Sequence, residues 1–427
     1  DTRPVVRSPT LNSRAASRPA RSVTKPAPPI QVRVKAGETL FTLSRRHGVS
    51  ARATDLKRST IRVLFDAAEG RSDVVRLEVG EPSFTTPSHI IEAAARAAAQ
   101  GNTRYGPNGG LASLRELLVE KVRIVNGFET SIDQIVVTPG AMNGLYSLYL
   151  ALLDPGDEVL LPTPGFPNMD EMVRLTGGVP VFYELDWADG YLPDPEKVAS
   201  LMTDRTKVLF LNSPSNPTGM VFPPDRIRQI VVAASDRGVW VVSDEVYDQL
   251  ILDDDRAYLS PGAVDPALPV VSVYSFSKVY AMTGWRVGYV VAPAALADAL
   301  RKLQEPQVSC PSTISQKAAE AALTGPREPI DAMKAAYVER RDFAWGLVQE
   351  LGLESLRPQG TFYMLVDISR SGLPPLEFAL RLLERDGVSV APGEVFGPGG
   401  NRVVRLSFAN DEASIGRGLK AIANAIN

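Results

Sequence analysis

The sequence contains few of the residues on which disulfide, zinc and histidine chemistry depend. Its 427 residues include one cysteine, Cys310, and two histidines, His47 and His89. A single cysteine cannot form an intrachain disulfide, which excludes the small disulfide-rich secreted class and favours a reducing compartment. We expect no metal site, and a serine or cysteine hydrolase would have to use one of these two histidines.

The sequence also lacks an excess of either charge and a long apolar run. Lys and Arg number 46 and Asp and Glu number 49, for a formal net charge of -3, which argues against a protein that coats nucleic acid. The longest uncharged run, residues 134–153, is interrupted by Pro139, Gly140, Asn143 and Gly144. It therefore predicts a strand, a turn and a buried helix rather than a membrane span. We expect small-molecule partners, no nucleic acid, no membrane and a cytoplasmic location.

Residues 1–50 differ in composition from the rest of the chain. Residues 2–31 hold six basic residues, no acidic one, and many Ser, Ala and Pro, which is typical of a disordered tail or linker. The alternative is the remnant of an Arg- and Ser-rich transit peptide, which would indicate an organelle. Residues 34–50 resemble the first half of a lysin-motif repeat. We interpret them as a short extension or fusion remnant rather than a working carbohydrate-binding module.

From residue 51 onward, short apolar strands alternate with helices. This alternation predicts an α/β fold with a largely parallel sheet covered by helices on both faces. The expected strands are residues 134–138, 158–161, 179–184, 207–212, 239–243, 270–274 and 288–292. After Pro306 the pattern changes to that of a smaller α+β domain. We expect a large domain at residues 85–304 and a small domain built from residues 51–84 and 305–427.

Three polar loops each follow a buried strand. They are Asn216-Pro217-Thr218-Gly219, Asp244-Glu245-Val246-Tyr247 and Ser275-Phe276-Ser277-Lys278. In an open α/β sheet, ligands bind outside the carboxyl ends of the strands. The spacing therefore predicts that an amide, a carboxylate, a phenol and an ammonium group surround one crevice.

These loops resemble motifs of the class I and II aminotransferases, the aspartate aminotransferase family of fold-type I pyridoxal-phosphate enzymes. Residues 275–288 fit the family's lysine pattern at every constrained position, with Lys278 and Arg286 eight residues apart. The resemblance extends from about residue 51 to the end of the chain, and implies a mostly parallel seven-stranded sheet between helices. Supporting motifs in the family's order are Tyr105-Gly106-Pro107, Thr138-Pro139-Gly140-Ala141, the Asn216 and Asp244 loops, and Val404-Arg405-Leu406.

The resemblance assigns the catalytic roles to Lys278, Asp244 and Tyr247. Lys278 would hold pyridoxal phosphate as a Schiff base and then act as a free amine base. Asp244 would face the ring nitrogen and keep it protonated, because an opposite charge favours the protonated form. Asn216 and Tyr247 would donate hydrogen bonds to the 3-oxygen of the ring.

The resemblance also assigns residues to the cofactor phosphate. Gly140 and Ala141 lie between a strand and a helix, where backbone N–H groups suit an anion. Ser275 and Ser277 would add hydroxyl groups, and Arg286 would add a guanidinium fork.

Further family positions imply a dimer and a substrate site. Tyr105 would reach the phosphate from the neighbouring subunit of a homodimer, and Phe166 would stack on the cofactor ring. Arg405 would bind the substrate α-carboxylate, since a planar guanidinium matches a carboxylate. Asn216 would also contact the substrate, and Gly80 would let the backbone approach it.

Met142 departs from the pattern of the acid-specific members. These members carry a lysine just after the Gly-Ala or Gly-Gly of the phosphate loop, where this sequence has Met142. We count Met142 among the cofactor-binding residues, and its apolar side chain favours an aromatic or aliphatic donor.

The resemblance implies an aminotransferase that moves an amino group from an L-amino acid to a 2-oxo acid by a ping-pong cycle between pyridoxal and pyridoxamine phosphate. A carbon–sulfur or cyclising lyase of the same fold is the enzyme alternative. A pyridoxal-binding regulator would need a DNA-binding module, and residues 1–50 are too short and Pro-rich for a winged helix.

Overall fold

The structure is a computed structural model, and it describes residues 60–426 apart from the side chain of Arg62. These residues fall within the second of two units of the chain, Leu56–Asn427. The predictions for residues 1–50, including the tail and the half lysin motif, lie outside the described residues. The domain boundaries near residues 84 and 304 remain predictions.

The helices and strands of the described part follow one another much as the hydrophobic pattern predicts. The strands are β1 (Val75–Arg76), β2 (Ile135–Thr138), β3 (Glu158–Thr163), β4 (Val179–Glu184), β5 (Thr206–Asn212), β6 (Trp240–Asp244), β7 (Val270–Ser275), β8 (Gly288–Val291), β9 (Tyr363–Asp367), β10 (Val388–Ser389), β11 (Ala391–Pro392) and β12 (Val403–Ser407). The α-helices are α1 (Thr60–Ala68), α2 (Ser88–Ala99), α3 (Ala112–Lys121), α4 (Ala141–Leu152), α5 (Asn168–Leu175), α6 (Pro195–Ser200), α7 (Pro224–Ser235), α8 (Ala294–Val308), α9 (Thr313–Thr324), α10 (Glu328–Glu350), α11 (Pro375–Asp386) and α12 (Glu412–Ile426).

A seven-stranded sheet carries the loops predicted to form the site. Its strand order is β2-β8-β7-β6-β5-β3-β4. The pairs from β4 through β3, β5 and β6 to β7 are parallel, and β8 is antiparallel to both of its neighbours. This confirms the predicted fold class, a mostly parallel seven-stranded sheet between helices.

Helices cover both faces of this sheet because its central strands are apolar on both sides. In β5, Val208 and Phe210 pack against the layer that contains α4, α5 and α8. Leu209 and Leu211 point to the opposite layer, which contains α6 and α7. Successive side chains of a strand alternate between faces, so an uninterrupted apolar run buries the strand on both sides.

A second, smaller sheet lies towards the end of the chain. It has the order β11-β12-β9 with antiparallel pairs, and β1 pairs in parallel with β10. The sequence predicts a strand at residues 74–79, which is longer than the two-residue β1. β1 pairs with β10 over these two residues only, and residues 78–80 then line the cavity described below.

None of the helices in residues 60–426 is both long enough and apolar enough to cross a bilayer.

Candidate active site

The carboxyl ends of β5, β6 and β7 open onto one cavity of about 440 Å³. These strands are parallel neighbours, with Asn212 opposite Asp244 and Asp244 opposite Val273. Their following loops therefore meet at the same edge of the sheet. The predicted residues that line the cavity are Gly80, Ala141, Met142, Phe166, Asn216, Asp244, Tyr247, Ser275, Ser277, Lys278, Arg286 and Arg405.

Asn212 fixes the loop after β5 to the end of β6. Its side-chain amide donates to the Asp244 carbonyl at 3.0 Å, and its side-chain oxygen accepts from the Asn216 backbone N–H at 2.8 Å. Both of these contacts are buried, so they are protected from competition with water. They set the position of Asn216 relative to Asp244 in the absence of any ligand.

Asp244 is a buried carboxyl group with little compensation for its charge. Burial raises the pKa of Asp244 to about 7, and the neighbouring Glu245 acts in the same direction. The backbone N–H of Val246, at 3.3 Å from Oδ1, and the charge of Lys278 act against this shift. A cation placed opposite Asp244 would stabilise its ionised form. A protonated pyridine nitrogen fits this requirement.

We expect the contribution of Asp244 to the free energy of unfolding of the cofactor-free protein to fall as the pH rises from about 4 to 7. In that range folded Asp244 keeps a proton that the unfolded chain has released, because its pKa rises from 3.8 to about 7. Ionising the folded group at higher pH costs roughly 4 kcal/mol. Urea unfolding of the apoprotein and of its Asp244→Asn variant across this range isolates the effect of Asp244. Equal pH slopes for the two proteins would contradict the assignment.

Lys278 points its amine into the cavity from the turn after β7. Its Nζ donates to the Gly80 carbonyl at 2.6 Å and lies 5.8 Å from the centre of the Phe362 ring. The side chain is half-buried. An amine in this position can reach a ligand held between Asp244 and Arg405, because all three groups line the same cavity.

The first turn of α4 and Arg286 form an anion cradle beside Lys278. Gly140, just before α4, has φ 78°, and a Cβ there would lie 2.4 Å from Arg286 Nη2. Only glycine therefore allows the guanidinium to approach this helix start, where free N–H groups and the helix dipole favour an anion. On the other side, Ser275 Oγ accepts from the Ser277 N–H at 3.1 Å. The donors present fit a phosphate group.

Arg405 is a buried guanidinium whose described partners are all neutral. The residue is 4% exposed; it donates to Asn216 Oδ1 at 2.9 Å and to the Glu78 carbonyl at 2.6 Å. Its Nε has no hydrogen-bond partner among the described residues. Burial lowers the pKa of Arg405, since taking a charge out of water disfavours it. An anion that enters the cavity would compensate this charge, and a carboxylate matches the planar guanidinium.

Two aromatic rings hold the Arg405 guanidinium in place. Its central carbon lies 4.2 Å from the centre of the Tyr363 ring and 5.0 Å from that of Phe396. The Tyr363 hydroxyl is 2.9 Å from that of Tyr247. Burial raises the pKa of Tyr247 well above its ordinary value, so its phenol keeps its proton and can donate a hydrogen bond.

The structure gives Gly80 a contact that the sequence did not predict. A Cβ at Gly80 would lie 2.0 Å from the Tyr363 hydroxyl oxygen. The missing side chain thus admits the Tyr363 phenol, whereas we predicted only a close approach of backbone to substrate. Sequence reasoning missed Tyr363, since nothing in the local pattern of β9 separates it from an ordinary core tyrosine.

Sequence reasoning also missed Glu78. Its carboxylate is fully buried and accepts from Arg76 Nε at 2.5 Å. Within the described residues, Glu78 Oε2 and Arg76 Nη2 have no hydrogen-bond partner. Phe65 in α1 lines the cavity and lies 4.5 Å below the Arg76 guanidinium. One wall of the cavity therefore contains a neutralised ion pair rather than a free cation.

Tyr105 lies outside the cavity wall of this chain. It is 89% exposed, and the next residue, Gly106, donates its N–H to Cys310 Sγ at 3.3 Å. A phenol this exposed can contact a neighbouring molecule. Its predicted role in a partner subunit remains a prediction.

Comparison with known sequences identifies the family to which the chain belongs. The family described as aminotransferase class I and II matches residues 72–422. The chain is 40% identical over 386 residues to the aspartate/prephenate aminotransferase of Thermus thermophilus, with 89% of this chain and 99% of that protein covered. It is 39% identical over 355 residues to an aspartate aminotransferase of Pyrococcus abyssi, with 82% and 91% covered.

Solved structures agree in both fold and extent. The Thermus thermophilus aspartate aminotransferase with maleate matches with a TM-score of 0.85 and 39% identity, over 88% of this chain and 99% of that one. An aromatic aminotransferase from Pyrococcus horikoshii matches with a TM-score of 0.80 and 36% identity, over 84% and 98%. With the family match over residues 72–422, this chain belongs to the class I and II aminotransferases and is a pyridoxal-phosphate-dependent enzyme that transfers amino groups between amino acids and 2-oxo acids.

Proposed function

We propose that this aminotransferase prefers an L-amino acid with an aromatic or aliphatic side chain as its donor. The observation that carries this proposal is an apolar cavity wall next to a single buried guanidinium, Arg405, whose hydrogen-bond partners among the described residues are neutral. One such guanidinium serves the α-carboxylate that every amino acid and 2-oxo acid carries. A second carboxylate on the substrate would need another free cation.

Residues from several parts of the cavity wall would hold the cofactor. Gly140, Ala141, Ser275, Ser277 and Arg286 would bind its phosphate, with Phe166 against its ring. When bound, pyridoxal phosphate withdraws electrons from the substrate α-carbon.

The remaining groups would control protons and orientation at the cofactor ring. Asp244 would hold the proton of the ring nitrogen, and its burial makes that pairing stronger than it would be in water. Tyr247 and Asn216 would donate to the ring 3-oxygen; Asn216 already accepts from Arg405 at 2.9 Å. This contact couples the position of the cofactor ring to that of the substrate carboxylate.

Lys278 would attach the cofactor and then, as a free amine, move the proton at the substrate α-carbon. Its Nζ lies 2.6 Å from the Gly80 carbonyl, which orients the amine when it is free. A catalytic amine must lie within hydrogen-bond reach of the proton it takes. Lys278 lines the same cavity as Arg405, which supports this role.

The cavity walls support the preference for an apolar side chain. Met142, Leu145 and Phe166 line it on the large-sheet side, and Ile61 and Phe65 from α1 line it on the other. Glu78, which also lines the cavity, is paired with Arg76, so this wall offers no free cation to a second carboxylate on the substrate. Relatives bear the names aspartate and aspartate/prephenate aminotransferase, so acidic donors are the alternative to test.

We expect Met142→Lys to shift selectivity towards aspartate and glutamate. A lysine in this wall would add a cation for the second carboxylate, a charge-assisted contact worth on the order of tenfold to a hundredfold in kcat/KM. The measurement compares kcat/KM for aspartate and for phenylalanine in wild type and variant. Met142→Leu keeps the wall apolar and serves as the control. A wild type that already strongly prefers aspartate would contradict the proposal.

The exposed Tyr105 supports a homodimer with composite sites. If Tyr105 completes the phosphate site of the partner, a Lys278→Ala chain still supplies a working Tyr105 to its neighbour. Mixed dimers of Lys278→Ala with Tyr105→Ala should then recover about half of the wild-type activity per dimer at limiting cofactor, because one of two symmetric sites is intact.

Two affinity tags allow the mixed dimers to be purified and assayed against each parent variant. No activity in the mixed dimer would mean that Tyr105 serves its own subunit, and full activity of the Tyr105→Ala parent would mean that it serves neither site. A species that sediments as a monomer and keeps full activity would also overturn the composite site.

The cytoplasmic location and the two-domain division stay predictions.

A further inference from the structure

A buried ion pair contacts the end of the Asp244 loop without lining the cavity. Lys121, the last residue of α3, pairs with Asp248, and their side chains are 8% and 5% exposed. Asn126 links the two, since its oxygen accepts from Lys121 Nζ at 2.8 Å and its amide donates to Asp248 Oδ2 at 3.0 Å. Asn126 ends a π-helical turn, Val122–Asn126, a distortion that is frequent near functional sites.

Glu245 extends this group as a second buried acid. It is fully buried, and its Oε2 accepts from the Tyr258 hydroxyl at 2.5 Å and from the Tyr274 hydroxyl at 3.3 Å. Lys121 Nζ lies 4.3 Å from the centre of the Tyr274 ring, which joins the two parts by a cation–π contact. We call these residues the buried polar cluster: Lys121, Asn126, Glu245, Asp248, Tyr258 and Tyr274.

The cluster is continuous with two of the three loops of the site. Glu245 and Asp248 flank Val246 and Tyr247, and the Asp248 N–H donates to the Glu245 carbonyl at 3.0 Å. Tyr274 directly precedes Ser275 at the end of β7. A cavity of about 10 Å³ between Lys121, Asp248 and Ser275 is too small for a ligand other than one water. The cluster therefore does not form a second ligand site.

Buried charges of this kind are a poor means of stabilising a fold. Removing them from water costs more than their attraction commonly returns, and apolar replacements of a whole pair are often neutral or stabilising. We propose that Lys121, Asp248 and Glu245 are positioning residues that hold Asp244, Tyr247 and Ser275 in the geometry that binds the cofactor. This inference rests on the cofactor-binding roles given above for those three residues.

The test removes both charges of the ion pair together. Lys121→Met/Asp248→Asn removes both charges of the pair, so neither partner is left as an unpaired buried charge, and Asn126 can still bond to the new amide. We expect the dissociation constant of pyridoxal phosphate to rise about tenfold, the size of effect seen when groups that orient metal ligands are changed. We also expect kcat to fall more than the KM of the donor rises. Tryptophan fluorescence measures binding, and thermal unfolding of the apoprotein measures stability.

Three further variants make the outcome decisive. Lys302→Met/Asp298→Asn makes the same changes in an exposed pair, whose side chains are 76% and 55% exposed, and should alter nothing. Lys121→Arg keeps the ion pair and should keep cofactor affinity near the wild-type value. Asp244→Asn must itself weaken cofactor binding; if it does not, the proposed roles fail rather than the positioning inference.

Wild-type cofactor affinity and kcat in the folded double variant would overturn the proposal and leave the cluster a structural role only. If the double variant does not fold, the Glu245→Gln variant is used instead to test the proposal. It keeps an acceptor for Tyr258 and removes the titratable carboxyl group beside Asp244. Unchanged cofactor affinity and an unchanged visible spectrum of the holoenzyme in this variant would overturn the proposal.

Discussion

Lys278→Ala is expected to abolish amino transfer and to remove the visible absorbance of the attached cofactor. The side chain that attaches the cofactor and then moves the α-proton is lost, while alanine fits the turn after β7. General acid–base catalysis alone contributes about 10²–10⁴-fold, so kcat should fall by at least that factor. The measurement pairs a steady-state assay with an absorbance spectrum of the purified variant.

The matched control for this variant is Lys302→Ala. Lys302 lies in α8, with a side chain that is 76% exposed, and its loss should leave both the spectrum and kcat unchanged. Retention of the visible absorbance and of turnover in Lys278→Ala would show that another lysine holds the cofactor.

Arg405→Lys is expected to weaken every substrate to a similar extent. Lysine is a point charge that cannot form two parallel hydrogen bonds to a carboxylate. It also leaves the Glu78 carbonyl or Asn216 Oδ1 without its present donor. Truncating one partner of a buried, hydrogen-bonded charge pair costs about 2–5 kcal/mol, and we expect a loss of that order in transition-state stabilisation for all donors.

The test measures kcat/KM for one aromatic, one aliphatic and one acidic donor. Arg402→Lys is the control, since Arg402 precedes β12 but its side chain is 49% exposed and pairs with Asp367. A loss confined to the acidic donor would assign Arg405 to the side-chain carboxylate instead of the α-carboxylate.

The sequence predicts the sheet and its loops well because the relevant signals are local. β5, β6 and β7 are short apolar runs buried on both faces, and each is followed at once by polar residues. Parallel strands bring such loops to one edge, so Asn216, Asp244 and Lys278 could be expected to meet. The resemblance to a known family supplied the roles of Arg405 and Tyr105.

Contacts between distant parts of the chain could not be predicted in this way. The Tyr247 and Tyr363 hydroxyls meet across 116 residues of sequence, and the Lys121–Asp248 contact spans 127. Single buried polar residues give no periodic signal, so Glu78, Tyr363 and Lys121 read as ordinary strand or helix residues. For Gly80 the position was predicted but the contact was not, because the phenol that occupies its free space comes from β9.

Transfer of the amino group to a 2-oxo acid is the reaction to be measured directly. The purified holoenzyme is supplied with phenylalanine, with and without a 2-oxo acid, and amino acid, oxo acid and ammonia are quantified together. We predict that one new amino acid forms for each phenylalanine consumed, that turnover requires the 2-oxo acid, and that no ammonia appears. Release of ammonia or sulfide from an amino acid such as cysteine without any 2-oxo acid, and no amino transfer, would contradict this and indicate a lyase.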